Sequence, residues 1–207
     1  MTFRMLDSVD VGNLPDGADA YAGYTSGLFP TWIALSKRFH GKAHLVSIAI
    51  DAQHHALCLD VETGDALPSQ VPGWVKTEHG RNVARPIVYA SASAMHDIIT
   101  RLKAAGIERT QVRIWSAHYG IGKHICGPSV RDCGYPAADA TQWRRGDPHG
   151  SDDLAKCDES LCAEDFFHTP SPPPPPPEQL DGTVVWYAAG TLHSRGVISH
   201  DGAKTWA

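Results

Sequence analysis

Residues 56–62 read Ala-Leu-Cys-Leu-Asp-Val-Glu, an apolar run that ends in two carboxylates spaced two positions apart. An apolar run without polar alternation suits a strand buried on both faces, as in a parallel sheet covered by helices. Strand side chains repeat every second residue, so Asp60 and Glu62 are expected on one side of that strand's end. Two acids there cost the fold stability unless they are solvated, paired or used. A solvated strand end followed by a Gly64-Asp65 turn accounts for them as well as a chemical role does.

Similar short runs recur: 4–7, 20–24, 44–50, 56–61, 86–90, 112–115 and 140–143, with a weaker eighth near 156–160. Helical stretches fit between several of them. Leu28, Trp32, Leu35 and Phe39 are spaced four, three and four apart, which predicts a helix over 28–39. Residues 72–83 form a second, with Pro72 in its first turn. Residues 93–105 form a third, opening on a capping serine and closing at Gly106. Strands alternating with helices predict an α/β fold, and eight such strands close a compact (βα)8-type TIM barrel. The domain is short for that fold, so some helices are expected to be reduced. Residues 52–55 are too few for a helical crossover.

Six consecutive prolines, Pro172 to Pro177, predict a stiff extended spacer. The expected organisation is a barrel over 1–168, a linker over 169–177 and a short β appendage or tail over 178–207. Within the appendage, 184–187 and 196–198 are expected to pair as a β-hairpin, which docks on the barrel or on a second chain. Residues 199–206 resemble the Asp-box turn of sialidase-like propellers, with Ala203 in place of a glycine. A single copy does not build a propeller.

A formal charge of −5 argues against a nucleic-acid binder, which needs a basic face. No apolar run approaches the roughly 20 residues of a membrane span, so no membrane insertion is expected. The first residues lack the pattern of a signal peptide. Export is therefore expected to be signal-independent, or to use a signal outside this sequence.

Five cysteines give an odd count. Cys58 is read as a core thiol, whereas Cys126 with Cys133 and Cys157 with Cys162 have spacings that allow two local disulfides or four thiols. Of the two, Cys126 with Cys133 is the better candidate for a loop staple. Bridges, where formed, point to an oxidising, extracellular setting. No CxxC pair is present, and His54, His55, His118, His124 and His149 are scattered over several loops, so no metal or other cofactor is expected. A phosphodiesterase holding a metal through Asp60, Glu62 and a histidine is a minor alternative.

If the strands form a barrel, its C-terminal rim collects acids and aromatic rings. These are Asp7, Tyr24, Asp51, Asp60, Glu62, Tyr89, Trp115, Tyr119, Gln142, Trp143 and Asp158. Carboxylates perform glycosidic chemistry, and aromatic faces stack on sugar rings. The order of Asp7, Leu-Asp-Val-Glu at 59–62, Ile-Trp-Ser-Ala-His-Tyr at 114–119, Thr-Gln-Trp at 141–143 and Cys-Asp-Glu-Ser at 157–160 resembles family 25 glycoside hydrolases. It is closer still to the related glycoside-hydrolase-like domains of bacterial and phage proteins. The resemblance covers residues 3 to about 168. It implies a small barrel that cleaves peptidoglycan between N-acetylmuramic acid and N-acetylglucosamine.

Carried over by position, Glu62 resembles the general acid and Asp60 the partner that orients the acetamido group or stabilises the sugar cation. Asp7 and Asp158 resemble the outer acids of the cleft. Tyr24, Asp51, Tyr89, Trp115, Tyr119, Gln142 and Trp143 are the expected substrate contacts. The expected function is a muramidase acting outside the cytoplasm on cell-wall glycan. The alternative is a non-catalytic glycan-binding or virion structural domain on the same barrel.

Overall fold

The computed structural model describes residues 1–130, 133, 137–147, 149 and 154–167, and the course of four short strands beyond them. The chain divides into two compact units, 1–169 and 170–207.

The first unit is an α/β protein built on a closed barrel of eight strands in chain order. The strands are β1 (Thr2–Asp7), β2 (Ala20–Tyr24), β3 (His44–Ala49), β4 (Cys58–Asp60), β5 (Ile87–Ser91), β6 (Arg113–Ala117), β7 (Ala140–Arg144) and β8 (Asp158–Ala163). Neighbours from β1 through β7 run parallel. β8 runs antiparallel to both β7 and β1. A closed eight-stranded α/β barrel with few helices is as expected, and the departure from a (βα)8 arrangement lies in the direction of the last strand. Three α-helices are present among the described residues, and the last strand is reversed. The cause is the β7–β8 connection, which carries a 3-10 turn at Leu154–Lys156 and no helix among the described residues. Without a helical crossover the chain does not return to the far end of the barrel, and it enters β8 from the end where it left β7.

The helices are α1 (Trp32–Phe39), α2 (Val71–Gly80) and α3 (Ala92–Ala104). α1 begins four residues later than its apolar spacing predicts, because Pro30 disfavours helical backbone at Phe29. Leu28 therefore stays outside the helix and exposed. The Ser91 side chain caps α3 by accepting from the Ala94 amide at 3.3 Å, and Gly106 ends it with φ +73°. The serine that caps is thus Ser91 rather than Ser93. α2 and α3 pack against the outward residues Leu59, Val88, Ala90 and Ile114, whereas Leu35 and Phe39 of α1 cover Leu6 and Tyr21.

Inside the barrel, Met5, Ala22, Val46, Cys58, Ile87, Trp115, Ala140 and Cys162 form a separate apolar core. Every second residue of each strand faces inward, so the inward position nearest one rim is fixed once the core position is fixed. That two-residue step takes Met5 to Asp7, Ala22 to Tyr24, Cys58 to Asp60, Ile87 to Tyr89 and Ala140 to Gln142. On the reversed β8 the same rim holds the first residue, Asp158, which pairs with Asp7.

In the second unit, Gln179–Leu180 pairs with Thr183–Val184 (β9 and β10), and Gly196–Ile198 pairs with Lys204–Trp206 (β11 and β12), both antiparallel. The expected pairing of 184–187 with 196–198 falls largely on residues outside those described, since only Val184 of the first segment is among them. The proline run 172–177 and the whole of the expected linker over 169–177 lie outside the described residues.

Candidate active site

The acidic rim encloses a pocket of about 210 Å³ lined by Asp7, Tyr24, Ile48, Glu62, Tyr89, Trp115, Tyr119, Gln142, Arg145 and Asp158. Eight of the eleven residues expected at the rim line it. Asp60 lies buried beneath, 2 % exposed, with the Tyr24 hydroxyl donating to its Oδ2 at 3.5 Å.

Asp51 and Trp143 are absent from the pocket. β3 ends at Ala49, and Ile48 takes the inward rim position. Asp51 sits beyond, where it accepts the Gln53 amide at 2.9 Å and pairs with His54 Nδ1 at 2.8 Å. Burial raises its carboxyl slightly, but these partners outweigh it and hold the group below its ordinary value. Trp143 follows the inward Gln142 on β7 and lies under the Arg144 guanidinium, 5.8 Å from the ring centre.

Glu62 follows β4 in a turn closed by the Asp65 amide donating to its carbonyl at 3.1 Å. Gly64 occupies the turn's left-handed position at φ +100°. The turn lifts Glu62 from the floor, where Asp60 lies, to the lip of the pocket.

The aromatic wall is hydrogen-bonded internally. The Tyr89 hydroxyl donates to Gln142 Oε1 at 2.5 Å, and Tyr89 packs edge-on to Trp115 with ring centres 4.7 Å apart. Trp115 Nε1 donates to Ser160 Oγ at 2.9 Å. These bonds hold the rings fixed before any ligand arrives.

The acids differ in their electrostatics. Burial, then Asp158, Asp60 and Glu62, push Asp7 well above the usual carboxylate range. Burial, then Glu62 and Asp65, push Asp60 up to about 8, with the Tyr24 hydroxyl opposing. At neutral pH Asp60 therefore keeps its proton for the most part. Asp7 Oδ2 and Asp60 Oδ1 are buried polar atoms with no hydrogen-bond partner in the protein. Such atoms are costly to the fold.

Burial and Asp65 also raise Glu62, while Arg145 and the Tyr89 hydroxyl pull it back. Asp158 is raised by burial but carries the strongest set of opposing partners: the Gly146 amide, Gln142, Arg145 and Arg144. The Gly146 amide lies 2.5 Å from Asp158 Oδ1. Of the acids at the pocket, Asp158 is the one whose upward shift the largest set of donors and cations opposes. Burial pushes the Tyr119 phenol up to about 12, so it is neutral and able to donate.

No protein-family model, curated protein or solved structure matches this chain. Its chemistry is therefore read from the pocket itself. Arg145 is the charged pocket residue that sequence reasoning passed over. It lies one residue beyond β7, where parity gives no direction, and its only sequence signal is the Arg144-Arg145 pair in an otherwise acidic rim.

None of the five cysteines is in a disulfide. His118, His124, Cys126 and Cys133, which look dispersed in sequence, are gathered into one cluster on the β6–β7 connection. No comparable grouping of Asp60 and Glu62 with a histidine is found among the described residues.

Proposed function

We propose that the protein is a glycoside hydrolase acting on N-acetylated cell-wall glycan, of the peptidoglycan-cleaving muramidase type. The observation that carries this reading is the convergence of Asp7, Asp60, Glu62 and Asp158 on one aromatic-walled pocket, with their proton affinities set apart. Pairs of acids with different affinities are what proton transfer to a glycosidic oxygen and stabilisation of the resulting sugar cation require. We read the barrel as a reduced relative of the (βα)8 TIM architecture, with helices lost from several crossovers.

In this reading Glu62, at the lip, holds a proton by virtue of its raised affinity and delivers it to the leaving oxygen. Asp158, whose negative charge the Gly146 amide and two arginines favour against its burial, faces the positive charge that develops at the sugar ring. Asp60, neutral beneath the pocket, acts through Tyr24, whose hydroxyl donates to it and which lines the pocket where the acetamido group would lie. Tyr89 and Trp115 form the wall against which the ring stacks. The pocket volume of about 210 Å³ is below the roughly 300–1,000 Å³ of most ligand sites, which suits one sugar ring with the rest of the glycan outside. The substrate places the site of action outside the cytoplasm, on the cell wall.

Loss of turbidity of purified cell walls, with new reducing ends in the soluble fraction, tests the reading. A binding-only domain is the second reading, favoured by the burial that raises both Asp7 and Asp60. It gives sedimentation with cell walls and no new reducing ends.

A further inference from the structure

The connection from Ala117, the end of β6, to Ala140, the start of β7, carries His118, His124, Cys126 and Cys133. Their donor atoms all lie within 4.8 Å of one another. His118 Nδ1 is 3.3 Å from each sulfur and 3.2 Å from His124 Nε2. His124 Nε2 is 3.6 Å from Cys126 Sγ, and the two sulfurs are 2.6 Å apart. We propose that these four side chains form a structural zinc site that fastens the β6–β7 connection to the barrel rim.

The geometry suits that ion. With Zn–S near 2.3 Å and Zn–N near 2.0–2.1 Å, tetrahedral ligands stand about 3.3–3.8 Å apart. The nitrogen–sulfur and nitrogen–nitrogen separations above fall close to that range. The sulfurs need to part by about 1 Å, a rotation of two short side chains. The donor set is two thiols and two imidazoles with no carboxylate, the Cys2His2 combination that selects zinc over hard cations.

The supporting shell is also present. His124 Nδ1 donates to the Gly122 carbonyl at 2.7 Å, which leaves the Nε2 lone pair directed into the cluster. Gly122 reaches this carbonyl with φ +81°, a backbone state that favours glycine. The His118 amide donates to the Gln142 carbonyl at 3.0 Å, and the Cys126 amide to Thr141 Oγ1 at 2.8 Å. The Ala138 amide closes the loop onto the Cys126 carbonyl at 2.9 Å. Two ligands are thus anchored to β7 by their own backbone. Both sulfurs are buried, so the site is screened from water.

Four protein ligands leave no open coordination position, which marks a structural rather than a hydrolytic site. Zinc binding releases the two thiol protons, and the site therefore weakens as pH falls. Its effect on the pocket runs through Tyr119, which lines the pocket and follows His118 directly.

The test uses the full chain, purified under reducing conditions without chelator. Metal analysis is expected to find about one zinc per chain. After chelation, titration with Co²⁺ is expected to give tetrahedral d–d bands and a thiolate-to-cobalt charge-transfer band, a readout that needs no variant. Cys126→Ser, Cys133→Ser and His124→Ala each lose that signal, while Cys162→Ser, altered in the barrel interior, keeps it. Chain that stays metal-free in added Zn²⁺ and gives no charge-transfer band, with all five thiols titratable, overturns the proposal. So does a mass two hydrogens lighter, with a Cys126–Cys133 disulfide in the digest.

Discussion

Asp7 and Asp158 are register partners across the antiparallel β1–β8 pair, the last residue of one strand opposite the first residue of the other. Two carboxyls brought together in a buried setting do not both ionise, and the proton stays with the one that lacks donors. The Gly146 amide beside Asp158 therefore assigns the proton to Asp7.

Glu62→Gln is expected to lower cell-wall hydrolysis by roughly 100-fold or more, because the amide keeps the shape but carries no transferable proton. Glu62 stands at the lip on an exposed turn, so the melting temperature should stay within a few degrees. Undiminished release of reducing ends by this variant removes Glu62 from the mechanism.

Asp60 binds its proton more tightly in the folded chain, at about 8, than in the unfolded chain. Its contribution to stability is fully present below about pH 4, declines as pH rises and is lost above pH 8. Asp60→Asn removes this dependence. The variant should melt higher than the parent at pH 8, with the gap closing towards pH 4. Parallel melting curves across that window contradict the buried, protonated state.

Arg145 lowers the proton affinity of Glu62. Arg145→Gln should therefore move the alkaline limb of the pH–rate profile to higher pH, since activity lasts as long as Glu62 keeps its proton. The profile of initial rates on cell walls measures this directly. A shift to lower pH contradicts the assignment.

At Gly146 a Cβ would meet the Lys156 carbonyl group at 2.7 Å and the Cys157 carbonyl carbon at 2.8 Å. Gly146→Ala has to move the 145–147 segment away from β8, at a cost of about 1–3 kcal/mol. The same movement takes the amide from Asp158. Thermal melting and hydrolysis should fall together, unlike the separation expected for Glu62→Gln.

The inward positions were legible because a strand's period of two needs only one anchor. Asp7, Tyr24, Tyr89, Trp115 and Gln142 follow from strands whose ends are clear in sequence. Asp51 failed because β3 stops at Ala49, and an acid that accepts from the following amides starts a turn instead of extending a strand. Trp143 failed by one residue of parity, next to Gln142. The direction of β8 was not legible, since its six residues pair equally well either way and the connection decides. The Cys/His cluster was hidden for a different reason. Its ligands are contiguous only after the loop folds onto Gln142 and Thr141, and no short spacing rule encodes that.

The reversal of β8 also determines how this barrel can be joined to other things. Thr2 and Ala163 are paired, and the amino terminus reaches the Glu164 carboxylate at 2.9 Å. Both chain ends of the barrel thus emerge at the end away from the acids. A circular permutant that links them by a short bridge and opens the surface turn at 52–55 would keep every rim residue in its place. For the same reason, neither end of the barrel itself has to cross the mouth of the pocket.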